Sequence, residues 1–360
     1  MGLPEKIAEI EKEMSKTQIN KATEHHLGRL KAKLAALKAQ MDAPKKGPAT
    51  AGGFAVRKSG DSTVVFIGLP SVGKSTLLNA LTGARSKVAA YAFTTLDCIP
   101  GMMNYKGAKI QLLDLPGIIA GAKEGRGRGR EILAVARSAN LVLLIVDVYD
   151  TAYYEKLKKE LFGIGVRLDQ VPPNIFIHKL DKGGLHIVHG VKLTKINNVT
   201  ITAILNEYGI FNANVMIRED ISDDQLIDHL VGTRKYAKSL IVINKIDLKP
   251  DVKFDFGGLD YVKIAANKNI GIEELREQIF QKLNLMQVFT RSRYEDANMQ
   301  EPLMMQKGCT VEDVCNKLHR DLVKLFKYAQ IWGKSAKFPG QRVGLDHIVQ
   351  DSDIVLINKK

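Results

Sequence analysis

Apolar positions in the first fifty residues recur at helical spacing: Ile7, Ile10 and Met14, then Leu27, Leu30, Leu34, Leu37 and Met41. The three-four alternation of the second set predicts a helical hairpin with a coiled-coil seam. Arg29, Lys31, Lys33 and Lys38 stud its second helix; an apolar stripe of this kind usually packs into a core, and the alternative is a partner bound through an exposed basic face. Pro44-Lys45-Lys46-Gly47-Pro48 and Gly52-Gly53 break helix and strand alike and mark a linker.

Beyond the linker the period changes. The runs 64–67, 141–146 and 240–243 are continuously apolar, 110–113 is apolar apart from Gln111, and these runs alternate with helical stretches. That is the pattern of a mostly parallel α/β sheet covered on both faces. The interval between Asp147 and Leu240 is too long for one crossover, so something is inserted. From about Leu168, Pro172-Pro173 opens a segment with strands predicted over 174–178, 186–193 and 213–217 and helices over 201–208 and 223–231. A helix is expected from Ile272 to Leu283. After Leu285 come strands near 286–290 and 303–308, a helix opened by the capping box Thr310-Val311-Glu312-Asp313, and a closing strand over 353–357. The expected organisation is a hairpin over 1–50, an α/β domain over 62–284 interrupted by an α+β insertion over 168–235, and a C-terminal module over 285–360.

The first α/β strand runs into Gly68-Leu69-Pro70-Ser71-Val72-Gly73-Lys74-Ser75, and Thr76 to Leu81 reads as a helix ending at Gly83. Strand, glycine loop, Lys-Ser and helix together make a phosphate cradle. The backbone N–H groups turn inward, Lys74 reaches the β and γ phosphates, Ser75 ligates Mg²⁺, and the anion sits at a positive helix N-terminus. Asn244-Lys245-Ile246-Asp247 follows another buried run and selects the base. A carboxylate can accept both the ring N–H and the exocyclic amine of guanine, which adenine cannot reproduce.

Asp114-Leu115-Pro116-Gly117 follows a third buried run. Asp114 fits a metal role through the water shell of Mg²⁺, and the Gly117 N–H fits a γ-phosphate sensor. Thr94 or Thr95, in Tyr91-Ala92-Phe93-Thr94-Thr95-Leu96, is placed to close over the metal, with Phe93 and Thr76 beside the nucleotide. Ala265 and Ala266 end a strand where small residues let a backbone N–H reach guanine O6. Ala265 supplies no hydroxyl to brace that loop.

These motifs, with Gly117-Ile118-Ile119-Ala120-Gly121-Ala122 running into Gly125-Arg126-Gly127-Arg128-Gly129-Arg130, resemble the Obg-related translation GTPases. The closest resemblance is to the developmentally regulated GTP-binding (DRG) family. It extends over nearly the whole chain, including Leu27-Gly28-Arg29-Leu30-Lys31-Ala32-Lys33-Leu34. The resemblance implies a P-loop GTPase carrying a ribosomal-protein-like insertion and a C-terminal β-grasp TGS domain. It implies Mg²⁺ with GTP or GDP as ligand, Thr95 as the metal-ligating threonine, and Lys74, Thr95 and Gly117 as the catalytic set. It also implies ribosome, ribosomal RNA or tRNA association and a dedicated protein partner.

The residue after Gly117, where many signalling GTPases carry a water-orienting Gln, is Ile118. An apolar side chain cannot hold water, and a missing group of this class is worth about 10³ to 10⁵ in rate, so low intrinsic turnover is expected. Some related GTPases use bound K⁺ through a phosphate-loop Asn. Ser71 stands there, which leaves K⁺ activation open. Two other readings stay in view: an ATP-using kinase or ATPase, against which Asn244 to Asp247 speaks, and a GTP-sensing RNA-binding or protein scaffold with little or no turnover.

Composition adds partners. The 360 residues are 45% hydrophobic and carry a net charge of +14, which favours polyanions, nucleic acid before membrane. Trp332, Lys334, Lys337 and Arg342 are candidate RNA contacts, although a single Trp in a small domain also suits a core. No apolar run reaches membrane-spanning length and the start of the chain lacks a signal-peptide core, so a cytoplasmic protein without membrane partners is expected. Cys98, Cys309 and Cys315 lack metal spacing and are expected to be free thiols. His178, His186 and His189 have no evident acidic partner and read as solvent-facing strand residues.

Overall fold

The computed structural model describes residues 2–18, 20, 23–42, 59–82, 99–115, 135, 139–249, 254–292, 299, 302–319 and 321–359. Two helices open the chain, α1 (Leu3–Lys16) and α2 (Glu24–Asp42). The next elements are β1 (Ser62–Gly68), α3 (Lys74–Thr82), β2 (Ile99–Tyr105), β3 (Ala108–Asp114), β4 (Leu141–Asp147) and α4 (Tyr153–Gly163). Then come β5 (Val166–Leu168), β6 (Ile175–Lys179), β7 (Leu185–His189), α5 (Asn198–Glu207), β8 (Ala213–Ile217) and α6 (Asp223–Val231). After these come β9 (Lys235–Asn244), β10 (Tyr261–Lys263) and α7 (Ile272–Lys282). The C-terminal part holds β11 (Leu285–Thr290), β12 (Leu303–Gln306), α8 (Val311–Leu318), a short α9 (Asp321–Lys324), β13 (Phe326–Trp332), β14 (Gln341–Val343) and β15 (Asp353–Lys359). The described residues form two compact units, one drawn from 1–53 and 162–236, the other from 54–161 and 237–360.

In the second unit the strands run in the order β10-β9-β4-β1-β3-β2, parallel except for the antiparallel edge strand β2. Every residue of β1 is buried, as is β4 up to Val146, which is why their sequences read as unbroken apolar runs. Register brings the polar strand ends together. Gly68 pairs with Ile145, Phe66 with Asp114, and Asp147 with Asn244, so the ends of four strands emerge at one edge of the sheet. In parallel α/β sheets ligands bind outside these carboxyl ends.

The same unit contains a five-stranded sheet, β12-β11-β15-β13-β14, in which β11 and β15 are parallel and the other pairs antiparallel. Helix α8 packs Val311, Val314 and Cys315 against Val288, Ala329, Ile331 and Val355, which makes a β-grasp. Thr310 and Asp313 form the capping box expected from sequence. Cys309 and Cys315 are free and buried, and burial pushes the Cys309 thiol up to about 11. Gln287 Nε2 donates to the Lys106 carbonyl at 2.9 Å and Lys317 pairs with Asp61 at 3.1 Å, tying this sheet to the one beside it. Trp332 is half-buried on its sheet, with the Arg291 guanidinium 5.5 Å from its ring, while Lys334, Lys337 and Arg342 are exposed and Arg342 lies over Tyr328.

The first unit joins two stretches that lie far apart in sequence. A three-stranded sheet, β6-β8-β7, is antiparallel between β6 and β8 and parallel between β8 and β7. Ile175, Val215 and Ile217 point into a core shared with Ile201, Ile204 and Leu205 of α5, Leu226 and Ile227 of α6, and Ala32 of α2. The N-terminal hairpin therefore packs on the inserted segment. A Cβ on buried Gly28 would stand 2.7 Å from Thr200 Cγ2, so the helices approach as closely as glycine permits. Lys31, expected on an outward basic face, instead pairs with Asp223 at 2.9 Å and Asp224 at 3.5 Å, because the docked α6 presents its acidic first turn there.

Several element ends differ from the sequence expectation. β7 stops at His189, four residues before the predicted end, because the Gly190 N–H bonds the Ile217 carbonyl and no β8 residue remains to pair. Helix α5 starts at Asn198, three residues early, since the Asn197 side chain caps the Thr200 N–H. Helix α3 starts at Lys74 rather than Thr76, and β12 ends at Gln306. His178 and His186 lie in register with Asn214 on the open face of the three-stranded sheet. No group of three His, Cys, Asp or Glu suited to a metal occurs among the described residues. None of the described helices is long and apolar enough to cross a membrane.

Candidate functional site

The carboxyl edge of the parallel sheet gathers four of the sequence motifs, those at Gly68–Ser75, Asp114, Asn244–Asp247 and Ala265–Ala266. Gly68 ends β1, the loop turns through Ser71 at φ 62° and Gly73 at φ 92°, and α3 begins at Lys74. Gly73 is required twice over: its φ is left-handed, and a Cβ there would lie 2.4 Å from Asn244 Nδ2. Leu69 is half-buried, Val72 is buried, and Pro70, Ser71, Ser75 and Thr76 are exposed along the loop and first helical turn.

Lys74 is only 6% exposed and folds over its own loop, donating to the carbonyls of Gly68 at 3.1 Å and Leu69 at 2.8 Å. Burial lowers its pKa and the nearby Asp114 carboxylate opposes that shift. Ser75 Oγ donates to Asp114 Oδ2 at 2.7 Å, while Asp114 Oδ1 is buried with no hydrogen-bond partner. A hydroxyl and a carboxylate with one oxygen unsatisfied, beside an ammonium and a helix N-terminus, are hard oxygen ligands next to an anion cradle. The set fits Mg²⁺ with a phosphate.

Asn244 joins the phosphate loop to the base loop. Its Nδ2 donates to the Val72 carbonyl at 2.8 Å, and its Oδ1 accepts from the N–H of Lys245 at 2.9 Å and of Ala266 at 3.1 Å. The Ala266 N–H, expected to reach guanine O6, is thus turned to Asn244. Ala265 exchanges both backbone hydrogen bonds with Ile270, which closes the loop. Lys245 is left-handed, at φ 64°, and its ammonium lies 2.6 Å from Asp147 Oδ2. Asp147 Oδ1 accepts from the Tyr149 N–H, so β4 contributes a buttress that the motifs did not reveal.

Asp247 carries one braced and one unbraced oxygen. Oδ2 lies 3.1 Å from Lys268 Nζ, and Oδ1 is buried without a partner. The Lys268 ammonium, together with the Asn267 side chain, holds this carboxyl below the usual carboxylate range. Lys268 and Asn267 went unread in the sequence, where a Lys after Ala-Ala-Asn carries no pattern of its own. Phe93, Thr94, Thr95, Cys98, Gly117 and Ile118 lie outside the described residues.

Comparison with known proteins agrees with this geometry. Residues 63–179 match the model of a 50S ribosome-binding GTPase, residues 182–285 that of the C-terminal region of the same domain, and residues 294–359 that of the TGS domain. An uncharacterized GTP-binding protein of Methanocaldococcus jannaschii is 52% identical, over 99% of this chain and 93% of its own. Developmentally-regulated GTP-binding protein 2 homolog of Dictyostelium discoideum is 47% identical over the full length of both chains. Developmentally-regulated GTP-binding protein 2 of Homo sapiens is 45% identical, again over both chains in full. With a P-loop GTPase domain, a TGS domain and relatives of this identity along its whole length, the chain belongs to the developmentally regulated GTP-binding protein family.

Proposed function

We propose that this protein is a Mg²⁺-dependent GTP-binding and GTP-hydrolysing switch of low intrinsic rate that acts in translation, in the cytoplasm, through ribosome or RNA association. The observation that carries the reading is the pair of unsatisfied buried carboxylate oxygens, Asp114 Oδ1 at the phosphate end and Asp247 Oδ1 at the base end, at a site where Asn244 ties Val72 to Ala266. Each is a specific acceptor awaiting a ligand group, since a buried unpaired carboxylate oxygen costs free energy.

In this reading Lys74 leaves the Gly68 and Leu69 carbonyls for the β and γ phosphates, and Asp247 accepts from the guanine edge. Ser75, Asp114 and Thr95 would hold Mg²⁺, which would supply neutralisation of phosphate charge. Lys74, Thr95 and the Gly117 N–H act on the γ-phosphate, so that its presence biases the loops carrying Thr95 and Gly117. Ile118 supplies no water ligand, and a ribosomal or protein partner supplies or orders the missing group. The net charge of +14 and the exposed Lys334, Lys337 and Arg342 support an RNA contact.

Steady-state GTP hydrolysis, measured with and without ribosomes at fixed Mg²⁺ and in K⁺ and Na⁺ buffers, tests this. Stimulation by ribosomes is the expected result, and higher turnover in K⁺ would assign a cation role near Ser71. The second reading, a GTP-sensing scaffold, is favoured by Ile118. It would be established by GTP binding with no turnover under any of these conditions.

A further inference from the structure

We propose that Lys268 is the positioning residue of the base-recognition carboxylate: its ammonium braces Asp247 Oδ2 so that Oδ1 stays turned toward the guanine edge. The inference rests on the guanine reading of Asn244 to Asp247.

The geometry is specific. A brace is needed because Asp247 is the middle residue of a one-turn 3₁₀ segment, Ile246–Leu248, whose N-cap residue Lys245 makes no side-chain cap bond. Position 265, which would present a hydroxyl to this loop if it were serine, is Ala265, and its backbone groups are both spent on Ile270. Lys245 is closer along the chain but is held by Asp147 at 2.6 Å. Lys268 meets the need from a second 3₁₀ turn, Ala266–Lys268, which the left-handed Asn269 at φ 56° ends. Its Nζ is 3.1 Å from Oδ2.

The division of the two oxygens argues for support and against blockage. Lys268 is 57% exposed at its side chain and comes from the solvent side, whereas the Asp247 side chain is only 8% exposed. The cation sits on Oδ2 and leaves buried Oδ1 unpartnered, and Oδ2 retains acceptor capacity. A charge-assisted contact also keeps the carboxyl ionised, the form that accepts from both guanine donors.

Binding of GDP, inosine diphosphate and ADP to the full chain tests the proposal, using wild type, Lys268→Met, Lys268→Arg, Asp247→Ala and the double variant Lys268→Met with Asp247→Ala. Thermal unfolding of Lys268→Met is expected to match wild type, because the side chain is exposed. GDP affinity should fall about tenfold in Lys268→Met and recover in Lys268→Arg. Lys268→Met should cost nothing further in the Asp247→Ala background, the sign that one acts through the other. As pH is lowered, GDP binding should also be lost at higher pH in Lys268→Met than in wild type, since an unbraced Asp247 takes up its proton sooner. Unchanged or tighter GDP binding in Lys268→Met, or an equal loss in the Asp247→Ala background, overturns the proposal and leaves the guanine reading standing. A wild type that prefers neither GDP nor ADP overturns both.

Discussion

Asn244 Nδ2 donates to the carbonyl of Val72 at 2.8 Å, a bond between residues 172 apart in sequence that fastens the loop for phosphate to the loop for the base. The same side chain accepts from Ala266 and Lys245, so three backbone groups depend on one buried amide. Asn244→Ala strands them, at about 1–3 kcal/mol for each group left without water or partner. The variant is expected to lose nucleotide binding and to melt several degrees lower, as isothermal titration and calorimetry would report. Full retention of GDP affinity would show that the tie is dispensable.

Ser75 and Asp114 are joined at 2.7 Å at the phosphate end of the site. Ser75→Ala removes the hydroxyl proposed as a metal ligand and leaves the phosphate loop backbone in place. Nucleotide affinity measured without Mg²⁺ is expected to change little, while the gain in GTP affinity on adding Mg²⁺ falls by about tenfold or more. An unchanged Mg²⁺ response would remove Ser75 from the metal site.

Gly28 and Thr200 hold the N-terminal hairpin to the inserted sheet at a separation that admits no side chain. Gly28→Ala raises helix propensity by about 1 kcal/mol but drives a methyl to 2.7 Å from Thr200 Cγ2. Net destabilisation is the expected result in urea unfolding. Thr200→Ser deletes the opposing methyl, so the double variant should recover most of the loss. Strictly additive effects would show that the two residues do not meet.

Glu277 accepts from Lys106 at 2.7 Å, Gln281 at 2.8 Å and Tyr105 at 2.8 Å. Lys106 first, then Gln281 and Tyr105, pull its pKa down to about 2 from an ordinary value of 4.5. A depressed carboxyl contributes stability above its unfolded pKa and loses that contribution as pH falls toward the folded one. Wild type should therefore lose stability between about pH 5 and 2, and Glu277→Gln should flatten part of that limb in urea melts taken across the range.

Much of this molecule was legible in one dimension because its signals are local. Apolar runs announced β1, β3 and β4, since a strand buried on both faces has few polar positions to spare; the exception in β3, Gln111, is buried with its side-chain oxygen accepting from Ser59 N–H and Thr63 Oγ1. Helix α6 occupies the predicted residues because Ser222 caps one end and Gly232, at φ 65°, turns the other. The glycines, Lys74 and Ser75 of the phosphate loop lie within eight residues, so their joint role follows from spacing. His178 and His186 take the open face expected of them, whereas His189, expected there too, is half-buried in register with Ile217 with its Nδ1 shielded from solvent.

What spacing could not reach were relationships that depend on which elements meet. Lys31 looked like part of an outward basic face until the docked α6 put Asp223 and Asp224 against it. The hairpin and the insertion read as separate segments, yet Ala32 shares a core with Ile201, Ile204 and Val215, because neither amphipathic surface is covered without the other. Asp147 and Lys268 carry no motif; they meet Lys245 and Asp247 because β4 ends beside β9 and because a 3₁₀ turn delivers one ammonium to Asp247. Sequence by itself marked the buried parallel strands, the Thr310 cap and the glycines of the phosphate loop, all governed by local backbone geometry and burial, while the edge strand β2 and the ends of β7 and α5 appeared only in the fold. Only the tertiary structure decided which charge neutralises which, since that depends on the few ångströms between side chains that folding alone sets.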